Sequence, residues 1–139
     1  MILTRRSLPA TTLALPAMAR AGTFEEPMRL RCRFADQDFT YALIDTATTR
    51  DLTSLLPTAL TIEDFSTDQK VAQLPRRLDE GGPVDFNDEA PGDLCYFIGL
   101  GNLAFFHAGY TYRRDLSRTQ GPVTPLLVRG AHPLQLDLS

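Results

Sequence analysis

Few residues of this chain have the types and spacing that catalysis or metal binding requires. The two histidines, His107 and His132, have no cysteine or carboxylate at a metal-ligand spacing, which favours an ordinary exposed or buried role for each. Cys32 and Cys95 are too far apart in the sequence to form a ligand motif. The sequence also has no Ser, His and Asp arrangement for nucleophilic catalysis and no glycine-rich loop for phosphate. It therefore predicts no metal and no cofactor, and it leaves open whether the protein is an enzyme.

A second group of side chains has the character of a binding groove. Asn102 follows a glycine in an apolar segment, so its amide must bond to local backbone, which is the favoured role, or face a ligand. The aromatic residues of 105–112 could line a groove, although aromatics at a strand end more often belong to a core. For adjacent arginines, a surface ion pair is the more common role. The residues that we expect near a ligand are Phe65, Arg76, Arg77, Asn102, Phe105, His107 and Tyr110.

The first 21 residues differ in character from the rest. Arg5 and Arg6 precede a short apolar stretch, and Ala19 and Ala21 put small residues where a signal peptidase cuts. Residues 1–21 are therefore predicted to be a cleaved twin-arginine export signal, which implies a periplasmic protein. The apolar stretch is shorter than the ~20 residues that cross a bilayer, so we expect no stable membrane anchor. A disordered basic N-terminus after a misassigned start is the alternative.

The charge of the remaining chain is acidic. The full sequence has 14 basic and 17 acidic residues, and residues 1–21 contain three arginines and no acid, so residues 22–139 carry a net charge of −6. Nucleic acids are bound by basic surfaces, and no nucleic-acid partner is expected. Residues 22–139 are sufficient for one domain with one hydrophobic core.

Alternation of apolar and polar residues predicts several short strands. From Met28 to Phe34, apolar residues alternate with three arginines, and residues 39–44 return after a polar turn, which predicts a hairpin with a basic outer face. Residues 60–65 have the pattern of another strand. A further short strand over 71–78 is interrupted by Pro75.

The remaining elements are a helix, two central strands and a last strand. Thr48 or Thr49 is expected to cap a short helix that Pro57 ends. Residues 94–98 and 103–107 flank a Gly-Leu-Gly break and are apolar on both faces, so they should lie inside a closed sheet. The sequence also predicts a solvated acidic loop over 79–91, a last strand over 123–128 and a tail after it.

These elements predict a mainly β fold, a small closed barrel with one or two short helices. Closure of a sheet removes the free edges that would otherwise aggregate. Cys32 shares its strand parity with Leu30, which favours a small buried side chain over a disulfide with Cys95. The sequence does not decide between these two states.

Several motifs, taken together, resemble those of a known family. They are Arg-Asp-Leu (50–52), Leu-Leu-Pro (55–57), Glu-Asp-Phe (63–65), Leu-Pro-Arg-Arg-Leu (74–78), Gly-Asp-Leu-Cys-Tyr (92–96) and Gly-Asn-Leu-Ala-Phe-Phe (101–106). In this order they resemble the cyclophilin-like domain family of bacteria and archaea, over about residues 28–130. The resemblance implies a cyclophilin-like β-barrel with a groove, and it implies no particular biochemical activity.

Two departures from related patterns bear on function. Catalytic cyclophilins polarise the twisted amide with the arginine of a Phe-His-Arg triplet, whereas here Ala108 follows Phe-His. Many relatives have Pro-Trp ahead of Gly-Asn-Leu-Ala, where this chain has Gly99 and Leu100. We therefore expect a small molecule or an extended peptide to bind in a groove. The alternatives are a proline isomerase with another donor, such as Arg76 or its neighbour, and a non-catalytic protein-interaction module.

Overall fold

Short alternating segments of the chain pair into one antiparallel sheet. The computed structural model describes residues 28–80, 84–85, 88–111, 114–115 and 119–139. The elements are β1 (Arg29–Phe34), β2 (Gln37–Ala42), α1 (Ala47–Ser54), β3 (Thr58–Phe65), β4 (Gln69–Gln73), β5 (Val84–Asp85), β6 (Asp93–Phe97), β7 (Asn102–Phe106), β8 (Arg114–Asp115), β9 (Thr119–Gln120), a 3₁₀ helix (Thr124–Leu127) and β10 (His132–Leu138). The main sheet has the strand order β9-β6-β7-β4-β3-β10-β1-β2, and β5 pairs with β8.

The two ends of the main sheet meet and nearly close it into a barrel. The Thr119 hydroxyl of β9 donates a hydrogen bond to the Ala42 carbonyl of β2. Next to this contact Gly121 packs against the Tyr41 ring, where an added Cβ would lie 2.3 Å from a ring carbon. Glycine therefore permits the close approach of the two ends. The predicted mainly β fold, a small closed barrel, is confirmed.

The first hairpin has the predicted alternation, with the apolar residues of β1 buried and Arg29 and Arg33 exposed. Arg31 pairs with Asp38 at 2.6 Å, and Arg33 pairs with Asp137 at 2.7 Å. Because β1 lies between β10 and β2, its arginines cover an outer wall of the barrel and not a free edge. Exposed pairs of this kind each contribute only about 0–1 kcal/mol to stability.

The two central strands are buried on both faces, as predicted. Every second residue along β6 and β7 points into the main core of the barrel. The residues between them, together with Tyr110, form a second apolar cluster on the outside, which we call the outer cluster. The inward set is Leu94, Tyr96, Leu103 and Phe105, and the outward set is Cys95, Ala104 and Phe106.

The two cysteines are buried reduced thiols that belong to different clusters. Cys32 lies in the main core and Cys95 in the outer cluster, so they do not form a disulfide. Burial raises the pKa of the Cys32 thiol, which therefore stays neutral. Cys32 is thus the small buried core residue that its strand parity with Leu30 favours.

Helix α1 is present, but its cap differs from the predicted one. Thr46 is the N-cap, and its hydroxyl accepts a hydrogen bond from the backbone N–H of Thr49 at 3.1 Å. The Thr49 hydroxyl in turn accepts from the Thr46 N–H at 2.9 Å. The prediction of Thr48 or Thr49 as the cap was wrong, because Thr49 acts as the third helical residue of a capping box.

The C-terminal prediction was also wrong. Residues 123–128 form no strand, because Pro125 fits the first turn of the short 3₁₀ helix. The following segment is not an irregular tail but β10, which pairs with both β1 and β3. Its inward residues Leu134 and Leu136 are fully buried, and Pro133 is accommodated near the start of the strand.

One other predicted strand has different bounds in the structure, and two predicted segments lie wholly or partly outside the described residues. Strand β4 covers Gln69–Gln73 and ends before Pro75, whereas 71–78 was predicted. The predicted export signal over 1–21 lies outside the described residues, as does part of the predicted loop over 79–91. Within the described ranges no helix is both long enough and apolar enough to span a bilayer.

A buried lysine forms hydrogen bonds that connect several segments of the barrel. Lys70 on β4 is fully buried, and its ammonium donates to Asp64 Oδ1 and to the Val128 carbonyl, each at 2.7 Å. Asp64 Oδ2 accepts from the Gly130 N–H at 2.7 Å. The hydrogen bonds from Lys70 and Gly130 lower the pKa of Asp64. This group connects β3 and β4 to the chain between the 3₁₀ helix and β10.

A second carboxylate attaches α1 to the barrel. Asp51 accepts hydrogen bonds from Arg76 Nη1 and Nη2 at 2.9 and 2.7 Å, and from the Asp79 N–H at 2.8 Å. These bonds, with that from Arg76 the largest, lower the pKa of Asp51 to about 2. The helix is thereby joined to the segment that follows β4.

We expect Asp64→Asn to destabilise the protein more than Lys70→Met. The first change leaves a buried ammonium without its counter-charge, which costs about 3–5 kcal/mol. The second removes the buried charge, and Asp64, whose side chain is 36% exposed, can be hydrated; we expect a loss of about 1–3 kcal/mol. Urea unfolding at pH 7 measures both values. An equal or smaller loss for Asp64→Asn would contradict this account of the pair.

Asp51→Asn should change the acid sensitivity of the fold. Because the folded-state pKa of Asp51 is about 2, below the ordinary 3.8, its contribution to stability is complete above about pH 4 and is lost as the pH falls toward 2. The stability difference between wild type and Asp51→Asn should therefore shrink over that interval. Asp36→Asn, at an exposed turn residue, is the control. A difference that stays constant from pH 7 to pH 2 would argue against the Asp51 contact.

Candidate functional site

The outer faces of four neighbouring strands form a cavity. On β3, β4, β7 and β6 every second residue points away from the barrel interior, and several of these side chains, together with residues of the adjoining turns, line a cavity of about 310 Å³. We call this cavity the outer pocket. Its wall consists of Glu63, Phe65, Asp68, Gln69, Val71, Gln73, Phe97, Leu100, Asn102, Ala104, Phe106, Tyr110 and Thr111.

The strand register arranges the floor of the outer pocket in rows. In the middle row Val71 lies between Glu63 and Ala104, and Ala104 lies opposite Cys95. Ala104 is small, so the floor is lowest there. The flanking rows are Phe65, Gln69 and Phe106 at one end and Gln73, Asn102 and Phe97 at the other. Larger side chains therefore surround Val71 and Ala104 at the centre of the floor.

Tyr110 covers one end of the outer pocket. Its ring stacks on Phe106, with the centroids 3.6 Å apart and the planes 6° apart. Its hydroxyl donates to the buried carboxylate of Asp93 at 2.6 Å and lies 3.6 Å from Cys95 Sγ. Burial, together with the hydrogen bond to Asp93, raises the pKa of Tyr110, so the phenol stays a neutral donor. These contacts fix the chain that follows β7 over the outer cluster.

Asn102 has one satisfied and one unsatisfied polar atom. The residue is 5% exposed, and its Nδ2 donates to the Leu103 carbonyl at 3.0 Å, which is the expected local backbone role. Its Oδ1 is buried and has no hydrogen-bond partner among the described residues. A buried acceptor without a partner costs about 1–3 kcal/mol. Asn102 thus carries an acceptor that the described part of the fold does not satisfy and that has almost no surface open to the pocket.

Exposed apolar side chains gather at the outer pocket. Phe65, Phe97 and Leu100 are 54%, 36% and 63% exposed, and all three belong to its wall. Exposed apolar residues that are scattered singly need no explanation, whereas a contiguous group commonly marks an interaction site.

Three of the seven side chains that the sequence suggested for a ligand site are brought together in the wall, namely Phe65, Asn102 and Tyr110. Phe105 has the opposite strand parity and is fully buried in the main core. His107 follows the end of β7 and does not belong to the wall. Phe105 is thus a core residue, whereas Tyr110 lines the outer pocket.

The two arginines are engaged in other contacts and do not line the outer pocket. Arg76 forms the two hydrogen bonds to Asp51 described above, and Arg77 donates to Glu80 at 2.8 Å and to the Ile98 carbonyl. Neither belongs to the wall. Both arginines therefore form the surface ion pairs that are the more common role of adjacent arginines.

Sequence reasoning missed several wall residues because their signal is ordinary. Gln69, Val71 and Gln73 have the pattern of a solvated strand face, and only the pairing of β4 with β7 puts them beside Ala104. The apolar character of both faces of β7 was the available signal. It indicated that something covers the outer face, but not which strand supplies the neighbouring side chains.

The polar groups of the outer pocket can donate and accept hydrogen bonds. They are amides, carboxylates and hydroxyls, and no arginine or lysine is among the described wall residues. Within the part of the chain that the structure describes, no three His, Cys, Asp or Glu side chains are close enough to hold a metal ion.

Comparison with known proteins identifies the family. The model of the cyclophilin-like family matches residues 32–118. The solution structure of a hypothetical protein from Archaeoglobus fulgidus has a similar fold, with a TM-score of 0.56 and 17% sequence identity over 80% of this chain and 94% of the archaeal chain. No curated protein matches the sequence significantly. Since the family match spans more than half of the chain, the protein belongs to the cyclophilin-like family.

Proposed function

We propose that the protein binds a small organic molecule in the outer pocket. The observation that carries this proposal is a cavity of about 310 Å³ whose wall combines aromatic rings with a few polar side chains. Ligand sites in proteins have this composition and span roughly 300–1,000 Å³. The volume is at the small end of that range, which favours a ligand of one or two rings.

The sheet topology favours a small molecule over an extended peptide. Peptides commonly bind sheets by adding a strand to an open edge. Strand β4 is paired with β3 and β7, and β7 is paired with β4 and β6, so both central strands of the floor already have a neighbour on each side. A ligand of the outer pocket must therefore bind through side chains.

An isomerase role finds less support at this site. Twisting an X-Pro amide over its barrier of ~18–20 kcal/mol calls for a donor oriented at the amide. Arg76 and Arg77, the donors considered from the sequence, bond instead to Asp51 and Glu80. Binding without chemistry is thus the function that we propose.

Filling the pocket tests the proposal. Val71 is half-buried in the middle row, and Val71→Phe keeps a residue that strands tolerate while occupying the floor. Leu127→Phe makes a comparable enlargement at a residue that is 57% exposed and does not belong to the wall. Saturation-transfer NMR of the full chain with a library of one- and two-ring fragments measures binding.

We expect a subset of fragments to bind wild type and Leu127→Phe and to lose their signal with Val71→Phe. Fragments that bind all three proteins equally would show that binding occurs elsewhere and would contradict the proposal. A library without any hit on wild type would contradict it as well. Unchanged backbone amide spectra away from the pocket would show that Val71→Phe has folded.

A further inference from the structure

We propose that the ligand of the outer pocket is an organic cation, a protonated amine with an apolar body. This inference rests on the proposed function and adds the chemical class of the ligand. Two features of the wall support it: its carboxylates and its aromatic rings.

The carboxylates of the outer pocket have no cationic partner among the described residues. Six acidic residues elsewhere in the described ranges pair with arginine or lysine, with N–O distances of 2.6–2.8 Å. Glu63 has no side-chain partner among the described residues, and Asp68 accepts only from Gln69 Nε2 at 3.3 Å. The wall therefore has negative charge that the described part of the fold does not neutralise, and a cationic ligand would complement it.

The aromatic rings suit the same kind of ligand. Phe65, Phe97, Phe106 and Tyr110 all contribute to the wall. The face of an aromatic ring attracts a cation and also packs against an apolar body. An anion would gain neither from these rings nor from the two carboxylates, and it would be repelled by the latter.

The carboxylates also indicate a cation that carries N–H groups. The carboxylates of Glu63 and Asp68 can only accept hydrogen bonds. A protonated amine donates such bonds, whereas a quaternary ammonium does not. The wall thus fits a primary or secondary amine better than a fully alkylated one.

Three probes with one body and different charges test this inference. They are 2-phenylethylammonium, 2-phenylethanol and phenylacetate. Each is titrated into the ¹⁵N-labelled full chain, and the amide shifts of Asn102 and Ala104 report binding at the floor. Glu63→Gln removes one negative charge from the wall, and Asp36→Asn removes one from the exposed β1–β2 turn as the matched control.

We expect the cation to bind wild type at least about tenfold more tightly than the alcohol, and the anion not to bind. Glu63→Gln should weaken the cation about three- to tenfold and leave the alcohol unchanged, whereas Asp36→Asn should change neither. Raising the salt concentration should weaken only the cation, because screening acts on charges.

Equal binding of the alcohol and the cation, or tighter binding of the anion, would overturn the inference about charge. In that case binding that is lost in Val71→Phe would leave the proposed function intact. If no probe shifts these amides while neutral fragments do, the inference fails alone. If neither probes nor fragments shift them, the proposed function fails with it.

Discussion

The β6–β7 hairpin is apolar on both faces, and the rest of the barrel is arranged to cover them. The inward face is covered by the remaining strands, which surround Phe105 and Tyr96 and fill the main core. The outward face cannot be left to water, because Cys95, Ala104 and Phe106 form a continuous apolar strip. The chain after β7 folds back over this strip, and Tyr110 stacks on Phe106 with its hydroxyl bound to Asp93. That single hydrogen bond lets a polar group lie in an apolar cluster without an unsatisfied donor.

The outward face of the β6–β7 hairpin is only partly covered, and the uncovered part borders the outer pocket. Tyr110 shields the end near Phe106, while Phe97 and Leu100 at the other end are exposed. Leu100 occupies the position that holds tryptophan in many relatives, directly ahead of Gly-Asn-Leu-Ala. Because Leu100 belongs to the wall, the residue at this position shapes the open end of the cavity. Members of the family that differ there would have a differently shaped opening at this end of the cavity.

The sequence predicts the parts of the fold that rest on local patterns. The alternation of the β1–β2 hairpin and the apolar character of β6 and β7 are visible directly, and they suffice for a barrel. The strand β10 was missed because Pro125 and Pro133 make its surroundings look irregular, whereas pairing with β1 and β3 decides its conformation. The site is less predictable than the fold for the same reason. Gln73 becomes a wall residue only through its register with Asn102, and Phe105 leaves the wall because its parity points inward.

Lys70 is the only lysine in the sequence, and the fold buries it completely. The folded barrel therefore offers no lysine amine to acylating reagents, to lysine-directed cross-linkers or to enzymes that modify lysine. Acylation of this side chain requires that the end of the barrel near Val128 and Gly130 opens first. A modified Lys70 would thus be a chemical record of that opening in an individual molecule.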